Sequence, residues 1–382
     1  MEKIKVMSVF GTRPEAIKMA PLVLELQRRS NIESIVCVTA QHREMLDSVL
    51  DSFNIKAQYD LDIMEPSQTL QGVTTRVLEK LGQTLDKAVP DIVLVHGDTT
   101  TTFAGALSSF YHKIPVGHVE AGLRTFDRYS PYPEEMNRCL VGRLADMHFS
   151  PTALNAENLR REGVPDSSIY ITGNTVIDAM AYTVSREDTV FPEFSFLDFK
   201  KRPVVVLTCH RRENYGRPMQ DIFIAVRRLA ADFPGIDIVY PIHMSPHVRR
   251  CAAEHLGGME NIHIIDPLET IAMHNLLSRC YMVLTDSGGL QEEAPSLGKP
   301  VLVLRRETER PEAVAAGCVE IAGTDSQEIY NKAKALLTDP EKYGAMARAA
   351  NPYGDGKAAV RIADAILWRF GMSPSKPEDF SP

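Results

Sequence analysis

No two cysteines in this chain are spaced C-x-x-C, and none of the six thiols falls at a His/Cys spacing that suits zinc. Scattered single cysteines fit a reducing compartment. The G-x-x-x-x-G-K-[ST] loop of ATPases is absent. One loose G-x-G-x-x-A, Gly354 to Ala359, has no strand before it and lies near the end of the chain, so it is no dinucleotide fingerprint. A nicotinamide cofactor and an ATPase are thereby disfavoured, and no cofactor is expected. His118-Val119-Glu120 joins two ligand-type residues without a third, so no metal is expected either. No apolar run approaches ~20 residues. Met1-Glu2-Lys3 leads straight into an apolar stretch without a signal-type h-region. These absences point to a cytoplasmic protein. Basic residues are outnumbered, 42 Lys and Arg against 50 Asp and Glu, for a net charge of -8. That balance argues against nucleic acid and anionic membrane as partners, yet local cations can still hold a small anion.

What is present is enough chain for two domains: 382 residues, 44% hydrophobic and 24% charged. Continuous apolar runs alternate with helical patterns. Ile4 to Phe10, Ile35 to Thr39, Asp91 to Val95, Pro115 to Val119, Met147 to Ser150 and Tyr170 to Gly173 read as strands. Gly11-Thr12-Arg13-Pro14-Glu15 opens a helix whose apolar stripe is Ala16, Met19, Ala20, Val23 and Leu26. Further helices are expected around Glu44 to Leu50 and Thr69 to Leu85, and up to Tyr111. Periodicity fades over about 184–203, which reads as a linker. It restarts with strands at Val204 to Leu207, Ile236 to Tyr240, Ile262 to Ile265, Tyr281 to Leu284 and Pro300 to Leu304. Helices follow at Asp221 to Asp232, Gln327 to Leu337 and Lys357 to Trp368. The expected fold is α/β: two doubly wound, Rossmann-like domains over 1–180 and 181–356, facing across a cleft. In such sheets ligands bind outside the carboxyl ends of the strands.

Polar residues recur at those ends. Thr285-Asp286-Ser287-Gly288-Gly289 follows a strand and precedes a short helix-compatible run containing Glu292 and Glu293. Ser287 and the amides after it suit a phosphate, the glycines allow a tight turn and close approach, and Glu292 or Glu293 suits a sugar diol. A capped corner with solvated acids explains the same pattern. Arg13 and Lys18 flank the first helical turns as a solvated face or as cations beside a phosphate or carboxylate. Asp98, Glu120 and Glu134 are read at loop positions, where each could cap a helix or the three could share acid–base work. His210-Arg211-Arg212-Glu213-Asn214 is the counterpart in the second half, with His210 either an acid–base or phosphate partner or part of a capping cluster. Cys209 points away from His210 on a strand, so the two make a poor nucleophilic pair.

Taken together, these strings closely resemble the bacterial non-hydrolysing UDP-N-acetylglucosamine 2-epimerases. The matching motifs are Phe10 to Lys18, His96 to Thr101, Gly117 to Arg124, Pro133 to Arg138, His210 to Asn214, Asp286 to Pro295, Thr308 to Glu312 and Asn351 to Gly356, which span nearly the whole chain. The resemblance implies a fold of the two-domain glycosyltransferase (GT-B) type, a last helix (about 357–382) that rejoins the first domain, and a homodimer. It implies UDP-GlcNAc and UDP-ManNAc as ligands. Ser287, Gly288 and Gly289 would cradle the diphosphate, Glu293 the ribose, and Arg310 and His210 would lie against UDP, with Arg13 and Lys18 reaching in from the first domain. Asp98, Glu120 and Glu134 would be the catalytic carboxylates, with His210 beside them in role. Gln41, Arg211 and His243 match positions that hold a second, activating UDP-GlcNAc in some members, but Glu44 and Ser67 stand where Gln and Arg often occur, which argues against that regulation. Phe126 occupies a place where Gly is usual, and Arg305-Arg306-Glu307 is more charged than usual.

Carbon 2 of an N-acetylhexosamine has no adjacent carbonyl, so direct proton exchange there is unfavourable. The sequence shows no nicotinamide site for an oxidative route, and a remaining route expels UDP as the carbon-2 proton leaves, giving a glycal, and then re-adds UDP while a proton enters from the opposite face. A GT-B glycosyltransferase, a hydrolysing epimerase and a non-catalytic UDP-sugar-binding regulator are the alternatives. The three loop carboxylates speak against the last, because anions do not help to bind a diphosphate sugar.

Overall fold

The computed structural model describes residues 3–40, 43–65, 68–184 and 189–382. It divides into two compact units, Met1–Tyr182 with Tyr353–Ser381, and Thr183–Pro352 with Pro382. The sequence reading put these changes at 180/181 and 356/357.

Among the described residues unit 1 is built on seven parallel strands: β1 (Ile4–Phe10), β2 (Ile32–Val38), β3 (Tyr59–Asp60), β4 (Ile92–His96), β5 (Val116–Val119), β6 (Met147–Ser150) and β7 (Ile169–Ile171). Their order is β3-β2-β1-β4-β5-β6-β7. Helices α1 (Arg13–Arg28), α2 (Arg43–Ser52), α3 (Leu70–Ala88), α4 (Thr100–Tyr111), α5 (Glu134–Leu144), α6 (Ala153–Arg161) and α7 (Thr175–Thr183) connect them. The unbroken apolar strands are buried because helices cover both faces. The expected stripe of α1 is buried, and Val6, Phe10, Phe149 and Tyr170 pack with it in one cluster.

Unit 2 repeats the plan with β8 (Val204–Thr208), β9 (Asp237–Pro241), β10 (Ile262–Ile265), β11 (Met282–Thr285), β12 (Val301–Val303) and β13 (Val319–Ile321), ordered β10-β9-β8-β11-β12-β13. Its helices are α8 (Arg217–Asp232), α9 (Pro246–Leu256), α10 (Thr270–Arg279), α11 (Leu290–Ser296), α12 (Pro311–Ala316), α13 (Ser326–Thr338) and α14 (Pro340–Ala347). In each sheet the strand order reverses once, between β1 and β4 and between β8 and β11. The crevice at such a reversal is where doubly wound sheets bind ligands.

The final helix, α15 (Ala358–Arg369), belongs to unit 1. Ile362, Ala363 and Ile366 enter the core beside α1, and Arg29 pairs with Asp364 at 3.0 Å. Each buried Ile contributes about 1.5–3 kcal/mol of apolar transfer. Asp178 in α7 receives the first amides of α15, Ala358 at 3.2 Å and Ala359 at 2.8 Å, and so caps the helix.

The stretch expected to be a linker is partly structured. Pro192–Phe194 forms a 3-10 turn, Phe194 is buried, and Phe191 stacks on it with ring centres 5.2 Å apart. The short strands β3 and β13 escaped the sequence reading, because two or three residues carry no periodicity of their own.

Candidate functional site

Helix α1 begins with a capping box: Thr12 Oγ1 accepts from the Glu15 amide, and Glu15 Oε2 accepts from the Thr12 amide at 2.8 Å. The same Oε2 takes the Gly11 amide at 3.0 Å, while Oε1 accepts from the hydroxyls of Thr99 at 2.6 Å and Thr102 at 3.1 Å. One buried carboxylate thus bolts the loop after β1 to the loop after β4. Burial raises its pKa, against four hydrogen bonds that lower it. Gly11 is required for close approach, since a Cβ there would sit 1.8 Å from Thr39 Oγ1.

Glu120 follows β5 in the left-handed region, with φ +65. That backbone is strained for a residue with a side chain, by about 1–2 kcal/mol. Its surroundings fix it. Lys18 pairs with Oε1, Asn174 Nδ2 donates to the same oxygen at 2.9 Å, and His96 Nε2 lies 3.8 Å from Oε2. Just beyond, Gly122 has φ +92, and a Cβ there would lie 2.2 Å from the Asn155 carbonyl oxygen. Burial pushes the Glu120 carboxyl up, but Lys18, His96 and the two hydrogen bonds outweigh it and hold the group well below the carboxylate range. Burial lowers the His96 pKa to about 4, so the imidazole is neutral near pH 7 and the depression at Glu120 there rests on Lys18 and the hydrogen bond from Asn174.

Asp98 sits in the loop after β4, where Arg138 Nη2 donates to its Oδ2 at 2.6 Å and Asn137 Nδ2 donates to its carbonyl at 2.8 Å. Both partners come from α5. Glu135, also from α5, is buried. It takes the amides of Thr125 at 3.1 Å and Phe126 at 2.9 Å and pairs with Arg138 at 3.1 Å. Phe126 adopts φ +62, so the backbone keeps the shape that suits Gly although the residue is Phe.

Glu134 is not in a loop, as the sequence suggested, but is the first residue of α5. A prolyl-rich segment reads as loop, and the helix start behind it carries no capping side chain to announce it. Its Oε2 is buried without a hydrogen-bond partner among the described groups. His118, considered above for a metal, is buried and its Nε2 lies 2.8 Å from the Gly97 carbonyl, a structural contact. Among the described residues no group of three or more His, Cys, Asp or Glu is placed to hold a metal ion. Arg13 opens α1, on the same sheet edge as Lys18.

In unit 2, Asp286 at the end of β11 accepts the amides of His210 and Arg211 at 2.8 Å each and Asn214 Nδ2 at 3.0 Å, so the loop after β8 is tied to the loop after β11. His210 and His243 stack with ring centres 5.5 Å apart. Arg211 Nη2 lies 3.8 Å from Glu309 Oε1. Gln41 and Ser67 lie outside the described residues, as does the side chain of Glu44.

Gly288 and Gly289 do not supply the tight turn expected of them, since neither has positive φ; Gly289 is helical at φ -60. Gly288 supplies room instead. A Cβ there would lie 2.5 Å from Arg310 Nη1, so the guanidinium rests on the bare backbone. Ser287 gives its amide to Thr285 Oγ1 at 2.9 Å, and the first amides of α11 follow it. Glu292 and Glu293 divide. Glu292 is buried and paired with Arg310 Nε at 2.6 Å, whereas Glu293 is partly exposed, with Oε2 3.5 Å from His274 Nε2. The extra charge of Arg305 is also explained: it pairs with Glu213 at 2.5 Å and Glu309 at 2.6 Å, joining the loops after β8 and β12.

Sequence reasoning missed Glu15, Arg138, Asn174 and Asp286 as supports of the site. Glu15, Arg138 and Asp286 stand in a motif and Asn174 just past a strand, but the role of each is set by a partner 40 to 87 positions away, except where Glu15 caps its own helix.

A profile described as UDP-N-acetylglucosamine 2-epimerase matches residues 24–367. The UDP-N-acetylglucosamine 2-epimerase of Bacillus subtilis is 54% identical over 381 residues, covering 100% of both chains. The Escherichia coli K12 enzyme of the same name is 54% identical over 95% of this chain and 98% of its own. A crystal structure of UDP-GlcNAc 2-epimerase from Neisseria meningitidis, bound to UDP-GlcNAc, superposes with a TM-score of 0.87 at 49% identity, covering 96% of this chain and 100% of that one. The chain therefore belongs to the UDP-N-acetylglucosamine 2-epimerase family of isomerases, whose two-sheet α/β fold it shares.

Proposed function

We propose that the protein interconverts UDP-GlcNAc and UDP-ManNAc by eliminating UDP to a glycal and adding it back. The observation that carries this reading is the arrangement of three carboxylates at the carboxyl edge of the unit 1 sheet, each in a different setting. Glu120 is neutralised by Lys18, Asp98 by Arg138, and Glu134 leaves a buried oxygen unbonded. Unequal settings separate acid from base. Glu134, which has no ion pair among the described residues, is the better proton acceptor at carbon 2. Glu120 stays ionised and takes the other face with Lys18 as its proton-handling partner, and Asp98 orients the sugar. UDP falls to unit 2. The first amides of α11 with Ser287, Gly288 and Gly289 take the diphosphate, Arg310 and His210 stabilise it as it leaves, and Glu293 takes the ribose. Arg13 adds positive charge from α1. The bound UDP-GlcNAc of the Neisseria relative supports this choice of ligand.

The same reading makes the protein a homodimer of the cytoplasm that supplies ManNAc units for cell-surface polysaccharide. Among the described residues no helix is long and apolar enough to cross a membrane. Chromatography of UDP-GlcNAc incubated with enzyme and no acceptor tests the reaction. UDP-ManNAc without accumulating free UDP is expected. UDP with a reducing sugar would indicate a hydrolysing enzyme, and unchanged substrate a transferase.

A further inference from the structure

Asp286 is wholly buried, yet only one of its oxygens is satisfied by hydrogen bonds. Oδ2 takes the three donors from His210, Arg211 and Asn214. Oδ1 has no well-formed hydrogen bond among the described groups and lies 3.4 Å from His210 Nδ1, while the Cys209 thiol, whose pKa burial and this carboxylate raise, is the other donor beside the group. A buried carboxylate oxygen left without a donor is costly, so a proton on the nitrogen facing it is strongly favoured. The stacked ring of His243 accepts the Ser245 amide at its Nδ1, 3.1 Å away, which fixes the orientation of that ring beside His210.

We propose that Asp286 is a positioning residue that holds His210 in the Nδ1–H tautomer, leaving Nε2 to face the departing diphosphate. This rests on the assignment of UDP to unit 2 made above. One carboxylate then fixes both the main chain of His210, through Oδ2, and its ring, through Oδ1. When the C1–O bond breaks, the electron pair stays on the phosphate oxygen and the carbon-2 proton goes to a unit 1 carboxylate. His210 forms no bond to carbon. A proton taken from solvent at Nε2 donates a hydrogen bond to the phosphate, and Asp286 balances the resulting imidazolium. The charged and titratable groups facing His210 are Asp286, His243 and Arg211. Burial lowers its pKa most, Asp286 raises it, and His243 and Arg211 lower it, for a net shift downward. The ring is therefore neutral near pH 7, where the choice of tautomer matters.

Long-range proton–nitrogen NMR of the full-length enzyme labelled with [15N]histidine reads the tautomer directly, with His210 assigned by its loss in His210→Asn. The Nδ1–H pattern is expected in the wild type. In Asp286→Asn the amide NH2 faces Nδ1 and should move the proton to Nε2. Turnover of that variant should fall roughly ten- to a hundredfold while its Kd for UDP changes only a few-fold. The same change in a His210→Asn background should add little. An Nε2–H wild type, or an equal loss in both backgrounds, overturns the proposal. The tautomer is read without substrate, so it decides the matter even if Asp286→Asn fails to fold, and it separates this inference from the epimerase reading.

Discussion

Lys18 and Glu120 form a nearly buried ion pair that joins the second turn of α1 to the strained residue after β5. The pair sets the charge of Glu120, because burial alone would push its carboxyl up. Lys18→Met removes the largest group that opposes burial, leaves the Asn174 hydrogen bond, and raises the Glu120 pKa. Sign follows directly: the wild-type group stays ionised as pH falls, whereas the variant protonates at higher pH. The acid limb of the kcat/KM profile should therefore move toward neutrality. A profile reduced in height but unchanged in shape would contradict this account of Lys18.

On the proposed mechanism the three carboxylates act on the sugar and contribute little to holding UDP. Asp98→Asn, Glu120→Gln and Glu134→Gln should each lower kcat by roughly 10²–10⁴-fold, the range of lost acid–base groups. UDP affinity, measured by calorimetry, should change far less. Parallel losses of turnover and UDP binding would remove these residues from the chemistry.

Gly288 is a matter of space. In Gly288→Ala the new methyl meets Arg310 Nη1 at 2.5 Å and Cζ at 2.9 Å, so the guanidinium must leave its seat and strain its pair with Glu292. UDP should bind about tenfold more weakly, a loss of about 1.4 kcal/mol. Unchanged affinity would show that Arg310 does not serve UDP.

Phe126→Gly tests backbone strain. Phe126 is 70% exposed and has φ +62, so the change removes little packing and relieves the left-handed conformation. Chemical denaturation should show a gain of about 0.5–1 kcal/mol, with the hydrogen bond from the backbone amide of this residue to Glu135 intact. A loss would mean that the ring has a role of its own.

Asp178 gives a pH signature of the α7–α15 contact. Burial raises its carboxyl to about 6 from 3.8, against the Ala359 and Ala358 amides that lower it. The folded state then holds a proton that the unfolded chain releases between about pH 4 and 6. This group's contribution to stability is full below pH 4, falls as pH rises through 6, and is a cost at pH 7. Asp178→Asn should gain on the wild type by roughly 1–2 kcal/mol between pH 5 and 7.5. A pH-independent difference would place the titration elsewhere.

The architecture was legible because both sheets announce themselves as continuous apolar runs separated by amphipathic helices. Asp98, Glu120 and His210 were legible as well, as polar residues just past buried strands. What stayed hidden depends on long-range partners. Nothing local shows that Glu15 reaches Thr99, that Asn174 reaches Glu120, or that Asp286 holds the His210 loop. The same holds for Glu292 and Glu293, adjacent and alike in sequence, which Arg310 separates by pairing with the first. The left-handed backbone of Phe126 was signalled only by the Gly usual at that place.

The central claim is that the carbon-2 proton leaves and another returns while UDP departs and re-adds. Proton NMR of UDP-GlcNAc incubated with the enzyme in heavy water tests it most directly. The account predicts a second set of resonances for UDP-ManNAc, with deuterium at carbon 2 of the product. Epimerisation with the carbon-2 hydrogen retained would contradict it.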